Sequence, residues 1–203
     1  MMKSAILASL IAAAAAFAPS KSSVSTTSTQ LAGVDFSKEV GVQAPLGFFD
    51  PLGLLFDADQ AKFDRLRLVE VKHGRIAMLA VVGYLTTDAG IRFPGAEGIP
   101  GGFAALESGA IPELVWAQFV ATVALMEMVN QDAGIAAKGE PMGEFPGDFR
   151  NGALDFGWDK QSDAWKRNKR TIELNNGRAA QMGILGIMVH EQLGNIPEVL
   201  PGH

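Results

Sequence analysis

Hydrophobic residues concentrate in three long stretches of this chain, and glycine-rich polar segments separate them. The stretches predict helices at about 59–86, 112–130 and 165–193, joined by loops at 90–111 and 131–158. Residues that suit helix starts, first turns and helix ends flank the stretches: Asp57 or Asp59, Pro112 and Gly194. The pattern therefore predicts an all-α fold, with a short turn in the tail after the third helix.

Basic residues are concentrated in alternate segments between the predicted helices. No stretch is an unbroken apolar run of the ~20 residues that a spanning helix needs, so a soluble helical bundle is the alternative. The loop between the first two helices holds only Arg92, and the tail holds no lysine or arginine. The cations lie before or at the start of the first helix, and between the second helix and the start of the third: Lys38, Lys62, Arg65, Arg67, and Lys138, Arg150, Lys160, Lys166, Arg167, Lys169, Arg170. This alternation predicts an integral membrane protein with three transmembrane helices, its N-terminus on the basic side.

The N-terminus has the composition of a sorting signal. A positive start at Lys3 precedes an apolar run of eleven residues, 6–16, which is too short to span a membrane and suits a signal-peptide core. The following segment is rich in serine and threonine, with one lysine and no acid, as in transit peptides. We predict a signal peptide at 1–16, a plastid transit segment at 17–30 and a mature domain at 31–203. A plain secretory signal followed by a linker is the alternative.

Composition excludes several classes of site. The chain has no cysteine, which excludes disulfides, thiolate metal sites and a cysteine nucleophile. The net charge is -5, and no basic patch with interleaved aromatic residues is present, so nucleic acid is not an expected partner.

An internal repeat carries the candidate chemistry. The segment Val69–Ala77 matches Ile172–Ala180 at an offset of 103 residues. The matched positions are Glu70 and Glu173, His73 and Asn176, Gly74 and Gly177, Arg75 and Arg178, Ala77 and Ala180, and Gly83 and Gly186. Two matching helices that run in the same direction, with one span between them, predict a crossing pair related by a pseudo-two-fold axis.

The charges of the repeat predict ion pairs between the copies. A lone charge near the bilayer centre costs about 2.5–3.5 kcal/mol. Within one copy, glutamate and arginine are five residues apart, about 140° around a helix, and cannot pair well. We therefore expect Glu70 to pair with Arg178, and Glu173 to pair with Arg75. The glycine of each copy would let the helices approach closely at the crossing.

The remaining polar groups of the repeat suit isolated metal ligands. A carboxylate paired in this way is expected to keep one oxygen free. His73 and Asn176 lie one turn on, on nearly the same face as the glutamates. Each offers one donor, which suits a magnesium ion already held in a macrocycle and lacking a single axial ligand.

The two copies, Glu70-x-x-His73-x-Arg75 and Glu173-x-x-Asn176-x-Arg178, resemble the paired motifs of the light-harvesting chlorophyll-binding superfamily. Further stretches resemble its fucoxanthin–chlorophyll a/c branch, and the likeness covers about 35–196: Pro45–Gly53, Lys62–Arg67, Gly147–Ala153, Gln181–Leu185 and Met188–Gly194. By position, the resemblance implies chlorophyll ligands at Glu70, His73, Glu173, Asn176 and His190. In the middle helix it implies ligands at Gln118 and Glu127, and it implies that Arg75 and Arg178 hold the ion pairs.

The resemblance also implies a function without bond chemistry. We expect an antenna protein that binds chlorophyll a, chlorophyll c and fucoxanthin, with a diadinoxanthin-type carotenoid as a further candidate. Such a protein would sit in the plastid thylakoid membrane, as a multi-pass protein with its N-terminus on the stromal side. Its expected partners are thylakoid membrane lipids, other antenna subunits in an oligomer, and photosystem I or II.

Three other functions compete with this interpretation. A di-iron carboxylate enzyme uses two ExxH motifs, but the second copy has Asn176 in place of the second histidine, and the arginines would repel a dication. A transporter or channel would need a polar stripe along its spans, which the three stretches lack. A photoprotective member of the same family would dissipate energy as heat, for which the loop at 86–111 lacks a dense acidic cluster.

Overall fold

A computed structural model describes residues 35–129, 143–150 and 156–200. The leader predicted at 1–30 lies outside the described residues, as does part of the loop predicted at 131–158. After a short 3-10 helix at Phe36–Lys38, the elements are α1 (Gln60–Asp88), α2 (Ala104–Ser108), α3 (Glu113–Val129), α4 (Asp163–Leu193) and α5 (Ile196–Val199). No strand occurs in these segments, so the all-α prediction is confirmed for the described part of the chain.

The ends of the long helices follow from their capping residues. Of the two aspartates considered for the start of α1, Asp59 is the cap, and its Oδ1 accepts the backbone N–H of Lys62 at 2.8 Å. Helix α4 begins two residues before its predicted start, because Ser162 accepts the N–H of Trp165 at 3.4 Å. Gly194 ends α4 in the left-handed conformation at φ 71°, as predicted.

The segment predicted as a loop at 90–111 contains α2. This helix has five residues, too few to show a hydrophobic period in the sequence. Its first N–H, on Ala104, donates to Glu191 Oε1 at 2.9 Å, and Gly109 ends it at φ 65°. The turn predicted for the tail is the four-residue helix α5.

Helices α1 and α4 cross at the two glycines of the repeat. A Cβ built on Gly74 would lie 2.9 Å from Gly177 Cα, and a Cβ on Gly177 would lie 2.9 Å from Gly74 Cα. Any larger residue would therefore force the backbones apart. The crossing predicted from the repeat is confirmed, and glycine is required there by contact between the two backbones.

Small buried clusters brace this crossing along its length. On the side of the helix starts, Val71 of α1 and Leu174 of α4 pack with Val40. On the other side, Tyr84 and Ile187 pack with Ile196 of α5. Burial of these apolar side chains stabilises the crossing on both sides of the glycine contact.

Helix α3 stands apart from this pair. Its described side chains, 113–128, are all exposed, although most are apolar. A salt bridge of 2.7 Å joins Lys72 of α1 to Glu127 of α3. By length and hydropathy, none of the helices in residues 35–129, 143–150 and 156–200 meets the requirement for crossing a membrane.

Candidate functional site

Two ion pairs cross between α1 and α4, as the repeat predicted. Arg178 Nε donates to Glu70 Oε1 at 2.7 Å, and Arg75 Nε donates to Glu173 Oε1 at 2.7 Å. The four side chains are between 30% and 44% exposed, so each pair is half-buried. The pairs lie beside the glycine contact and join one helix to the other through charge-assisted hydrogen bonds.

Each of the two arginines also binds a loop carbonyl. Arg178 Nη1 donates to the carbonyl of Gly41, and Arg75 Nη1 donates to that of Gly147, both at 2.9 Å. These glycines have φ values of 96° and 90°, a region that favours glycine. The pseudo-two-fold relation therefore extends from the helices to the loop that precedes each one.

Glu70 departs from the expectation that a paired carboxylate keeps a free oxygen. Its Oε2 accepts a hydrogen bond of 2.6 Å from Arg67 Nη1, while its Oε1 accepts from Arg178. For Glu70 that expectation was wrong, because a second guanidinium three residues earlier on α1 reaches the same carboxylate. For Glu173, no described residue donates to Oε2, so one oxygen remains open.

His73 is held in an orientation that exposes one ring nitrogen. Its Nδ1 lies 2.8 Å from the carbonyl oxygen of Val69, one turn earlier. A ring nitrogen can only donate to a carbonyl, so Nδ1 carries the hydrogen and Nε2 of the neutral ring keeps a lone pair. Val69 and Ile76 flank the histidine on this face and are 43% and 65% exposed. The result is one nitrogen donor surrounded by exposed apolar side chains.

Asn176 has the corresponding place on α4. Its side chain is exposed and makes no hydrogen bond to a described residue. Ile172, one turn earlier, is 44% exposed and lies on the same face. The amide oxygen therefore offers a single donor beside apolar surface, as His73 does on α1.

His190 is oriented by a residue beyond the end of its helix. Its Nδ1 lies 3.0 Å from the amide oxygen of Asn195, which follows the cap Gly194. With Nδ1 donating, Nε2 is again the nitrogen that can bind a metal. Leu193, three residues on, is 69% exposed and supplies apolar surface nearby.

The two residues expected from α3 differ in their surroundings. Gln118 is exposed, and no described residue hydrogen-bonds its side-chain amide. Glu127 pairs with Lys72 through Oε2, which leaves Oε1 without a donor among the described residues. Glu127 therefore presents an oxygen beside α1, whereas Gln118 presents its amide on the exposed surface of α3.

A cavity of about 920 Å³ lies between the segment 41–55 and the α1–α4 crossing. Glu70, His73 and Arg178 form part of its polar lining. Phe48, Leu54 and other aromatic and aliphatic side chains form much of the rest. The cavity is large enough for a large apolar ligand and brings two of the predicted donors to its wall.

The donors are placed singly rather than in a cluster. Within the described residues, no three acidic or histidine side chains lie close enough to hold one metal ion together. A metal that takes one protein ligand and has its other positions filled by a macrocycle fits this arrangement, whereas a protein-bound ion with several ligands does not. Exposed apolar side chains beside each donor also fit a flat apolar ring.

A polar network anchors the loop that precedes α4. Hydrogen bonds from the side chain and backbone N–H of Arg150, and from the N–H of Glu144, lower the pKa of Asp148 to about 2. The Trp158 indole donates to Glu144 at 2.9 Å, and with Lys166 it lowers the pKa of that carboxyl. The network fixes the segment whose Gly147 carbonyl receives Arg75.

Two residues of this site were not singled out from the sequence. Arg67 binds Glu70, and its i, i+3 spacing from that glutamate was the available signal. Lys72 binds Glu127, and their separation of 55 positions leaves no local pattern that predicts the contact.

The chain is similar to proteins that bind chlorophyll. Residues 36–192 match the family described as chlorophyll A-B binding protein. Fucoxanthin-chlorophyll a-c binding protein A, chloroplastic, of Phaeodactylum tricornutum is 54% identical over 202 residues, which cover 95% of this chain and 97% of that protein. A fucoxanthin-chlorophyll a-c binding protein, chloroplastic, of Trieres chinensis is 54% identical over 209 residues, 98% of each chain. Fucoxanthin-chlorophyll a-c binding protein B, chloroplastic, of Macrocystis pyrifera is 48% identical over 216 residues, 98% of this chain and 95% of its own.

Proposed function

Since this chain belongs to the chlorophyll A-B binding protein family, we propose that it is a light-harvesting antenna protein that binds chlorophyll a, chlorophyll c and fucoxanthin. Members of this family bind pigments and are not enzymes. The protein has no bond-making role in this proposal. Its residues place and orient dye molecules so that excitation passes between them and on to a photosystem.

The observation that carries the proposal is the exposed apolar surface around single metal donors. Phe119 and Val120 of α3 are 60% and 61% exposed, as are many apolar side chains of α1 and α4. Surface of this kind is unfavourable in water and marks a binding site when it is contiguous. Large apolar pigments between α3 and the α1–α4 pair would cover it.

The proposed magnesium ligands are the donors described above. They are Glu70, His73, Glu173, Asn176, His190, Gln118 and Glu127. His73 and His190 would bind through Nε2, because Nδ1 of each ring already donates to an oxygen. When bound, the pigments supply the absorption of light and the transfer of excitation, while the chain supplies position and a dry apolar surround.

We further propose that the protein resides in the plastid thylakoid membrane, with α1, α3 and α4 as its three spans. The crossed ion pairs support this placement, because each neutralises charges that would be costly in lipid. The N-terminus and the loop before α4 would face the stroma. A diadinoxanthin-type carotenoid, thylakoid lipids, further antenna subunits and photosystem I or II would be its other partners.

Reconstitution tests the proposal directly. Residues 31–203, expressed without pigment, would be refolded in detergent with chlorophyll a, chlorophyll c and fucoxanthin and purified. We expect a coloured protein in which light absorbed by fucoxanthin or chlorophyll c produces chlorophyll a fluorescence. A folded helical protein that elutes without pigment would exclude the proposed function.

Single ligands are tested by pigment stoichiometry. His73→Leu and His190→Leu are each expected to lose about one chlorophyll per polypeptide, because each removes one axial donor. Asn168→Leu, at an exposed position of α4 outside the proposed ligands, is the matched control and should retain the full complement. Equal pigment content in all three variants would contradict the assignment of the histidines.

A further inference from the structure

The two copies of the repeat differ in the contact that is made by the arginine three residues before each glutamate. Arg67 and Arg170 occupy the same position, three residues before Glu70 and Glu173. Arg67 Nη1 donates to Glu70 Oε2 at 2.6 Å. The guanidinium of Arg170 instead lies 4.3 Å from the centre of the Phe145 ring, and no described carboxylate forms a salt bridge with it. The pseudo-two-fold relation is therefore broken at this pair.

The residues of the preceding loops account for this difference. Phe145 lies two positions before Gly147, and its ring attracts the Arg170 cation. At the equivalent place before Gly41 stands Glu39, which has no ring. The ring beside Arg67 is that of Phe63, 5.1 Å away on α1 itself, and it leaves the guanidinium within reach of Glu70. Gly41 leaves room for Arg67, because a Cβ there would lie 3.1 Å from Arg67 Nη1. Arg67 is thus free to turn toward Glu70.

The two carboxylates consequently have different charge environments. Glu70 accepts charge-assisted hydrogen bonds from two guanidinium groups, one on each oxygen. The carboxylate of Glu39 also interacts with Arg67 and offsets part of the added positive charge. Among the described residues, Glu173 accepts from Arg75 alone, and this pair is neutral. Each such hydrogen bond draws electron density from the carboxylate and occupies a lone pair that a metal would use.

We propose that Arg67 makes the two carboxylate sites unequal: it weakens Glu70 as a magnesium ligand and places a second guanidinium beside the pigment held there, while Glu173 keeps an oxygen to which no described residue donates. This inference rests on the proposed function, since it concerns pigments bound at these two glutamates. Arg67 is a positioning residue in this arrangement, because it acts through Glu70. The pigment at Glu70 would be released first and would absorb at a different energy from the one at Glu173.

The test compares Arg67→Gln with Arg170→Gln in the reconstituted full-length mature chain. In Arg67→Gln, Glu70 keeps Arg178 and regains an open oxygen, so we expect several-fold slower chlorophyll loss on dilution into pigment-free detergent. The absorption spectrum should shift in the same band that Glu70→Leu removes. Arg170→Gln, the matched control, should change neither the release rate nor that band. Arg67→Lys, which keeps the charge, should leave the band near its original position.

A second variant tests the same idea on the other copy, where loss of Arg67 packing plays no part. Phe145→Leu removes the ring that holds Arg170, so that Arg170 can reach Glu173, and it should speed chlorophyll loss from the Glu173 site. Equal effects of the Arg67 and Arg170 variants, or no change in Phe145→Leu, would overturn the inference while pigment binding itself persists. A wild-type protein without pigment would overturn the proposed function and this inference with it.

Discussion

The two ion pairs at the crossing differ in whether the glutamate keeps a charged partner after its arginine is removed. Arg178→Leu leaves Glu70 with Arg67, whereas Arg75→Leu leaves Glu173 with no described cation. A half-buried carboxylate without a partner costs about 1–3 kcal/mol. We therefore expect Arg75→Leu to lower the thermal midpoint of pigment release more than Arg178→Leu does.

The comparison controls for the loop hydrogen bonds of these arginines. Each donates to one loop carbonyl at 2.9 Å, so that loss is the same in both variants. Arg75 also lies 5.6 Å from the centre of the Phe149 ring, and Phe149→Leu measures how much of the difference comes from that contact. Thermal release would be followed by absorption, with helix content followed by circular dichroism. An equal decrease in the two variants would mean that Arg67 gives Glu70 no compensation.

The residue that orients His190 has a separate, testable role. Asn195→Leu removes the acceptor of the Nδ1–H, so the ring loses its fixed orientation and tautomer. Loss of such an outer partner typically lowers metal affinity by about 10–100-fold. We expect Asn195→Leu to lose the same chlorophyll as His190→Leu under washing, although the histidine remains. Unchanged retention would show that the ring needs no support from Asn195.

Between elements, helices α1 and α4 meet backbone to backbone at a pair of glycines. Gly74→Ala places a methyl group 2.9 Å from Gly177 Cα, and backbone cannot yield there as a flexible side chain can. Overpacking of this kind costs about 1–3 kcal/mol. We expect Gly74→Ala to reduce the yield of pigmented protein and its thermal midpoint.

Helix α1 provides the control for this substitution. No atom lies within 4 Å of a Cβ built on Gly83, in the same helix. Gly83→Ala should be neutral or stabilising, because alanine favours a helix by about 1 kcal/mol over glycine. If Gly74→Ala behaved like Gly83→Ala, the helices would not approach each other as closely as the structure shows.

The anchored loop before α4 should respond to acid through one carboxylate. Hydrogen bonds from Arg150 and nearby N–H groups lower the pKa of Asp148 to about 2, below its ordinary value of 3.8. A depressed pKa stabilises the fold above the unfolded value, and that contribution is lost as the pH falls from about 4 toward 2. We expect the protection of amides in 143–150 against exchange, relative to the unfolded chain, to fall over this range. Asp148→Asn should show low protection and fast exchange already at neutral pH. Slow exchange in Asp148→Asn would contradict this role.

Much of the arrangement of the helix pair was predictable, because it depends on residue spacing within one helix and on the internal repeat. The five-residue spacing of glutamate and arginine ruled out pairing within a copy, and the repeat supplied the partners. The bond between Arg67 and Glu70 was not predicted, since Arg170 has the same spacing and does not form it. That difference depends on Phe145, a loop residue whose position only the fold determines.

At the scale of the whole molecule, the described helices leave much of their apolar surface without protein contacts. The α1–α4 pair has a close crossing and small buried clusters, but the apolar side chains of α3 remain exposed. In the proposed protein, pigments would provide the contacts that side chains provide in an ordinary helical bundle. The placement of α3 could not be derived from sequence for this reason, since its partners would not be amino acids.

The arrangement of the three proposed spans can be tested with single cysteines, because the native chain has none. Ser37 lies before α1, Lys160 before α4 and Ser108 between α1 and α3, and all three are exposed. If α1, α3 and α4 each cross the bilayer, Ser37→Cys and Lys160→Cys lie on one side and Ser108→Cys on the other. In sealed vesicles, a membrane-impermeant thiol reagent should label either the first two or the third, and detergent should make all three reactive. Labelling of all three in intact vesicles would contradict the three-span arrangement, because an odd number of crossings must separate Ser108 from Ser37.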